Sequence, residues 1–179
     1  PSNPPRKPGG GSCAMTQAPD SLKAGRLLLI DKLDSHENTS KYPADLDPEE
    51  VGIVADSAHR GGYHCGKNRV TSRDYSVVES ARDRAGLTLY AAALDVGWFV
   101  VRVAGKIHNL RTFSIWLVAQ AKAGSADTAD IREVIYSPDG RTDKRWDRLR
   151  RRSTGDRSHL THSHISFFRD AIKAGRDVC

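Results

Sequence analysis

Near its C-terminus the chain reads SHLTHSHISFF (158–168), placing His159, His162 and His164 within a few positions of one another before the sequence turns apolar. Only seven histidines occur in 179 residues, so the cluster asks for a chemical reason. Neutral imidazole is a common zinc ligand and a proton acceptor near neutral pH. In an extended strand, side chains alternate between faces. His162, His164 and Ser166 then share one face, and Ile165 and Phe167 the other. The apolar face anchors the strand and two imidazoles stand side by side on the opposite face. Two histidines so placed can meet one metal ion, or one metal ion and a water.

A catalytic zinc site needs about three protein ligands and an open position. The strand supplies only part of that set. Further candidates are His59 and His64 in SAHRGGYHCG (57–66) and Asp95 in AAALDVG (91–97). A carboxylate inside so apolar a run is costly to bury unless paired or metal-bound. His64 follows a Gly-Gly-Tyr turn, which suits a side chain projected into a cleft. Cys65 is a possible thiolate ligand, ranked below Asp95 because neighbours in an extended segment point opposite ways. His159 reads as a loop histidine, His108 as a helix residue and His36 as part of a polar loop. Ser57 and Ser166 sit in no nucleophile motif, so a serine hydrolase is not expected.

These residues resemble a family, the peptidoglycan metallopeptidases that include D-Ala-D-Ala dipeptidases, L-Ala-D-Glu endolysins and the lysostaphin type. Their pattern is a His, then an Asp, then a terminal His-x-His or Glu-x-x-His. SAHRGGYHCG is similar to the family's Ser-x-Tyr-Arg turn and zinc histidine, AALDVG to its Gly-x-Ala-x-Asp segment, and HSHISFF to its His-x-His strand. The likeness spans roughly residues 50 to 170 and is greatest to phage and actinobacterial relatives. It implies that His64, Asp95 and His164 bind Zn2+. His162 would be the general base or orienting group for the attacking water, and Arg60 the cation facing the developing oxyanion. It implies a Hedgehog/DD-peptidase-like fold and, as partner, a peptidoglycan stem or cross-link peptide. The family keeps its His and Asp a few residues apart; here KNRVTSRDYSVVESARDRAGLTLYAA (67–92) intervenes, which reads as an inserted loop. Asp74 could therefore replace Asp95, and His59 could replace His64.

The elements that must position these groups follow from pattern. Residues 1–19 are rich in Pro and Gly and read as a flexible linker. Residues 20–179 read as a single α+β catalytic domain, a small antiparallel sheet bearing the metal site with one helix packed behind it. Segment 21–33 fits a short helix or a strand, and 35–50 is a polar loop. Segment 51–60 is a strand ending in a turn, and 66–88 an ordered excursion between core elements. The clearest helix is 106–124, with Ile107, Leu110, Phe113 and Leu117 on one stripe and Gly124 as its cap. Strand, Pro-Asp-Gly turn and return strand fill 131–146, 162–168 is the last strand, and 169–179 a basic, helix-compatible tail. Trp98, Trp116 and Trp146 read as core, with Trp146, in a polar context, also a candidate to line a groove.

Composition narrows function. Three cysteines, Cys13, Cys65 and Cys179, are odd in number and widely spaced, which is no disulfide framework. The net charge of +6 favours anionic polymers, and DKRWDRLRRR (143–152) holds much of the excess; its plainest reading is a solvated face. No apolar run approaches a membrane span. A metal-dependent nuclease and a non-catalytic polyanion-binding module are the rival classes. Against a nuclease, and against nucleic acid as partner, no carboxylate cluster for two-metal chemistry is visible. The expected location is extracellular, at the cell wall or in a phage virion.

Overall fold

The structure is a computed structural model describing residues 15–33 and 51–178. It is an α+β arrangement: helix α1 (Asp20–Leu33), strand β1 (Val51–Gly52), short helices α2 (Tyr75–Val78) and α3 (Ala81–Ala85), strands β2 (Ala93–Val96), β3 (Val100–Val103) and β4 (Lys106–Asn109), helix α4 (Leu110–Ala123), strands β5 (Ile131–Tyr136), β6 (Lys144–Asp147) and β7 (Ser163–Phe167), and helix α5 (Arg169–Lys173). Five strands form one sheet in the order β1-β2-β7-β5-β6, and β3 pairs with β4 in a separate hairpin. Every pairing is antiparallel. No helix among the described residues is long and apolar enough to cross a membrane.

The C-terminal strand lies at the centre of the sheet, between β2 and β5. Its alternation divides the molecule. Ile165 opposes Leu94 and Val134 in register, all three buried, and they point into the apolar core with Phe167 and Leu117. Ser163 on that face meets Ser114 of α4 through a 2.7 Å hydroxyl pair, which fixes α4 behind the sheet. The opposite face carries His164 and Ser166.

Helix α4 starts later than expected. Asn109 caps it in a capping box with Thr112, so 106–109 is left to β4. Ile107 is therefore a hairpin residue and is 54% exposed, whereas Leu110 and Leu117 are buried. His108 also belongs to β4. Trp116 is exposed rather than core, and Trp98 and Trp146 are half-buried. The reading of 51–60 as strand holds for two residues only, because from Ile53 the backbone turns to follow 63–65. Segment 20–33 is helical, and α5 is the helical part of the tail.

The Pro/Gly-rich segment expected as a linker lies outside the described residues up to position 14, as does the loop at 35–50. Its end is docked rather than free. Gln17 bridges to Tyr90, and Thr16 Oγ1 accepts from the Gly66 amide at 3.0 Å. The ordered chain thus begins before Asp20.

Candidate metal centre

The site is built on strand register. Asp95 of β2 and His164 of β7 are direct cross-strand partners, so their side chains rise from one face a few ångströms apart. His64 arrives from the loop after β1. Its Nε2 is 2.9 Å from His164 Nδ1 and 2.9 Å from Asp95 Oδ1, and His164 Nδ1 is 3.1 Å from the same carboxylate oxygen. Three donor atoms from positions 64, 95 and 164 thus form a nearly equilateral triangle. This His64–Asp95–His164 group could hold a metal ion.

Hydrogen bonds behind the triangle decide which nitrogens carry protons. His64 Nδ1 lies 2.7 Å from the carbonyl of Ile53, so in the neutral ring that nitrogen is protonated and Nε2 is bare. His164 Nε2 is 2.6 Å from Ser166 Oγ, and that hydroxyl donates onward to Glu133 Oε1 at 3.2 Å. The serine must then accept from His164, leaving Nδ1 bare as well. Two lone pairs and a carboxylate oxygen converge with no proton assigned between them. Such a set calls for a cation, and fixed tautomers of this kind are how proteins prepare imidazole ligands. Zinc bonds of about 2.0–2.1 Å at tetrahedral angles hold ligands roughly 3.4 Å apart, a small spreading of this triangle.

The electrostatics agree. Burial raises the Asp95 carboxyl, but hydrogen bonds and charge from His164 and His64 outweigh it and hold the group far below the usual carboxylate range. Burial pulls His64 down, yet the Asp95 hydrogen bond and charge turn the net shift upward. Without a metal, a proton is the cation this site retains.

The loop that presents His64 is held from three sides. Gly61 and Gly62 take φ of +84° and +71°, a conformation that favours glycine. A Cβ on Gly61 would also lie 2.5 Å from Asp74 Oδ2. Asp74 accepts from the Gly62 amide at 3.1 Å and caps α2 through the Ser76 amide at 2.9 Å. Arg169, 1% exposed, donates to the carbonyls of Gly62 and Cys65 on either side of His64, both at 3.0 Å. Tyr63 is buried and donates to Asp83 Oδ2 at 2.8 Å. The long excursion between His64 and Asp95 is therefore a brace, folded as α2 and α3 against α5.

Each alternative ligand has another place. Asp74 is engaged with Gly62 and α2. His59 is exposed, and Cys65 is buried with its Sγ 3.7 Å from the His59 carbonyl and its thiol pushed up by burial. None of the three belongs to the metal-holding group.

Strand β7 begins at Ser163, so His162 is not itself a strand residue. It lies just before the strand, half-buried, its ring 4.8 Å from that of His159. Burial pulls its pKa down, opposed by the charge of Asp95. His159 is nearly buried in a single 3-10 turn rather than a free loop. These rings, the triad and Arg60 line one cleft of about 470 Å3. Arg60 is exposed at its rim, its guanidinium bound to the carbonyl of Ser57 at 2.8 Å.

Glu133, Tyr75, Arg145 and Arg169 serve the site and were not singled out from sequence. Glu133, fully buried, accepts from Ser166, from Tyr75 at 3.2 Å and from Arg145 Nε at 2.9 Å. Its signal was the pair Arg132–Glu133 inside an apolar strand. A register shift between Ile131 and Glu133 breaks the alternation there and lets two successive charged residues both be interior. Comparison with protein-family models, curated proteins and solved structures finds no match.

Proposed function

We propose that this chain is a zinc-dependent hydrolase that cleaves a peptide bond in bacterial peptidoglycan, with the Hedgehog/DD-peptidase-like architecture of the family its motifs resemble. The observation that carries the reading is the convergence of two bare imidazole nitrogens and one carboxylate oxygen at the wall of an open cleft. A divalent ion held by His64, Asp95 and His164 supplies Lewis-acid activation of water and of a peptide carbonyl. His162 is kept neutral by burial and faces the same cleft, so it is the group to take the proton of the attacking water and return it to the leaving amine. Arg60 at the rim supplies positive charge where an oxyanion would develop. Peptidoglycan as substrate rests on the motif resemblance. The same reading puts the protein at a cell wall or in a virion.

Clearing of purified cell walls with and without chelator tests the proposal. The expected result is clearing that chelation abolishes and zinc restores. His164→Ala should lose both metal and clearing, while His162→Ala should bind zinc normally and lose turnover by about 100-fold or more. Plasmid nicking without release of wall fragments would transfer the site to phosphodiester chemistry.

A further inference from the structure

A second concavity lies beside the metal cleft, between the C-terminal end of α4 and the loop after β6. It measures about 720 Å3 and is lined by Lys122, Arg145, Trp146, Arg148, Arg150 and Arg152. The run 143–152, whose plainest sequence reading was a solvated face, is a structured wall.

Its order comes from one buried acid. Asp147, 5% exposed, is paired with Arg132 beneath the groove. It also accepts the amides of Leu149, Arg151 and Arg152, each at 2.9 Å. Asp147 itself lines the groove, and its carboxylate is taken up by Arg132 and these three amides. The tight turn it makes holds Arg150 at a φ of 54°, a left-handed conformation uncommon for a residue with a side chain. The result is a fixed loop fanning arginines into one concavity.

The cations are not balanced. Arg145 is paired with Glu133, and Arg152 with Glu79 at 2.9 Å. Arg148 donates to the carbonyls of Ile131 and Thr128. Lys122 and Arg150 are exposed. Among the described residues none of these three cations is in an ion pair, and all three line one groove, where low-dielectric walls concentrate their field.

Arginine forks match phosphate oxygens two at a time. Sites for single-stranded nucleic acid add free aromatic faces on which bases stack. Trp146 is the aromatic residue lining this groove, and the Arg148 guanidinium lies over its ring, 5.0 Å from the centroid. Arg145 lines both this groove and the metal cleft, so the two concavities adjoin.

We propose that this groove binds a base-free phosphodiester polyanion, of the polyol-phosphate kind carried by bacterial walls, and holds it beside the metal cleft. The wall as source of the polymer rests on the proposed function; the charge chemistry does not. Bound there, the polymer keeps the protein on its substrate between cleavage events and makes residence on the wall depend on salt.

The test is a binding titration of the full chain with poly(glycerol phosphate) in chelator, so that hydrolysis plays no part. The variant is Lys122→Gln with Arg150→Gly; both positions are exposed and glycine accepts the left-handed φ. The parent should bind saturably near physiological salt. The variant should bind roughly tenfold more weakly, with a salt slope lower by about 1.4–1.8 for two lost phosphate contacts. Its zinc affinity and melting temperature should match the parent. Equal binding by variant and parent would overturn the proposal. So would tighter binding of a single-stranded oligodeoxynucleotide or of poly-glutamate of matched charge, or no binding of the polymer at all. Polymer binding by a chain that never clears walls would leave the groove standing and remove the hydrolase.

Discussion

Ser166 is a small residue with a large effect on the site, since its hydroxyl alone tells His164 which nitrogen to expose. Removing it as Ser166→Ala leaves the His164 N–H unanswered and its ring free to turn. Zinc affinity should fall by about 10- to 100-fold, read by competition with a chromogenic chelator, while the fold persists. Glu133→Gln is a different lesion, because it also strips the buried Arg145 of its anion; it should cost about 3–5 kcal/mol in denaturant unfolding. The pH dependence follows from His64. Its pKa is raised in the metal-free fold, so the stability that its proton contributes is present at low pH and lost as pH rises through that value. Zinc requires the bare ring and gains over the same range. The melting temperature difference between zinc-loaded and chelated protein should therefore widen from about pH 6 to about pH 8, bracketing the ordinary histidine range. At this scale the sequence displayed His64, Asp95 and His164 through residue type and apolar context. It hid Glu133, and it placed Ser166 beside His164 without revealing its role, because a hydroxyl or carboxylate that supports a ligand carries no motif of its own. It also drew the last strand as 162–168, one residue too long at each end, because strand ends carry less pattern than strand interiors.

Two elements decide whether the donors meet. Antiparallel pairing of β2 with β7 puts Asp95 opposite His164, and a slip of one residue would send one of them into the core. The α2–α3 brace then sets the third donor by way of α5 and Arg169. Gly86, at the end of α3, touches the α5 backbone so closely that a Cβ would lie 2.1 Å from the Arg169 carbonyl carbon. Gly86→Ala should cost about 1–3 kcal/mol by overpacking and weaken zinc binding from far outside the site. Thermal unfolding and zinc titration of the same variant check both effects. Strands at 131–136 and 163–167 were legible in the sequence, and α4 from its period and Gly124, whereas β2 showed only as an apolar run with no element assigned. The excursion was read as an insertion because the resembled family keeps its His and Asp close together; its anchors are polar, Asp74, Asp83 and Arg169, and burial of such groups depends on partners distant in the chain. The boundary between β4 and α4 was missed because the Asn109 capping box closes a helix that hydrophobic spacing alone would have extended to Ile107.

Across the molecule, the α+β class and a small antiparallel sheet were readable from composition and pattern, while the separate β3–β4 hairpin and the central position of the last strand were not. Strand order is set by which apolar faces find each other after collapse, and no local signal records it. With β7 in the middle, the sheet closes only when the chain's end is in place, so metal and core are coupled. Zinc at about 100 times its dissociation constant should add about 2.7 kcal/mol, and chelation should lower the melting temperature correspondingly, measured by calorimetry. The bare-lone-pair triangle has a practical consequence as well. Imidazole and carboxylate donors take nickel and copper ahead of zinc on affinity alone. A preparation passed over immobilised nickel would leave the column with nickel in the place proposed for zinc, and its metal content would then vary from batch to batch with purification history rather than with protein quality.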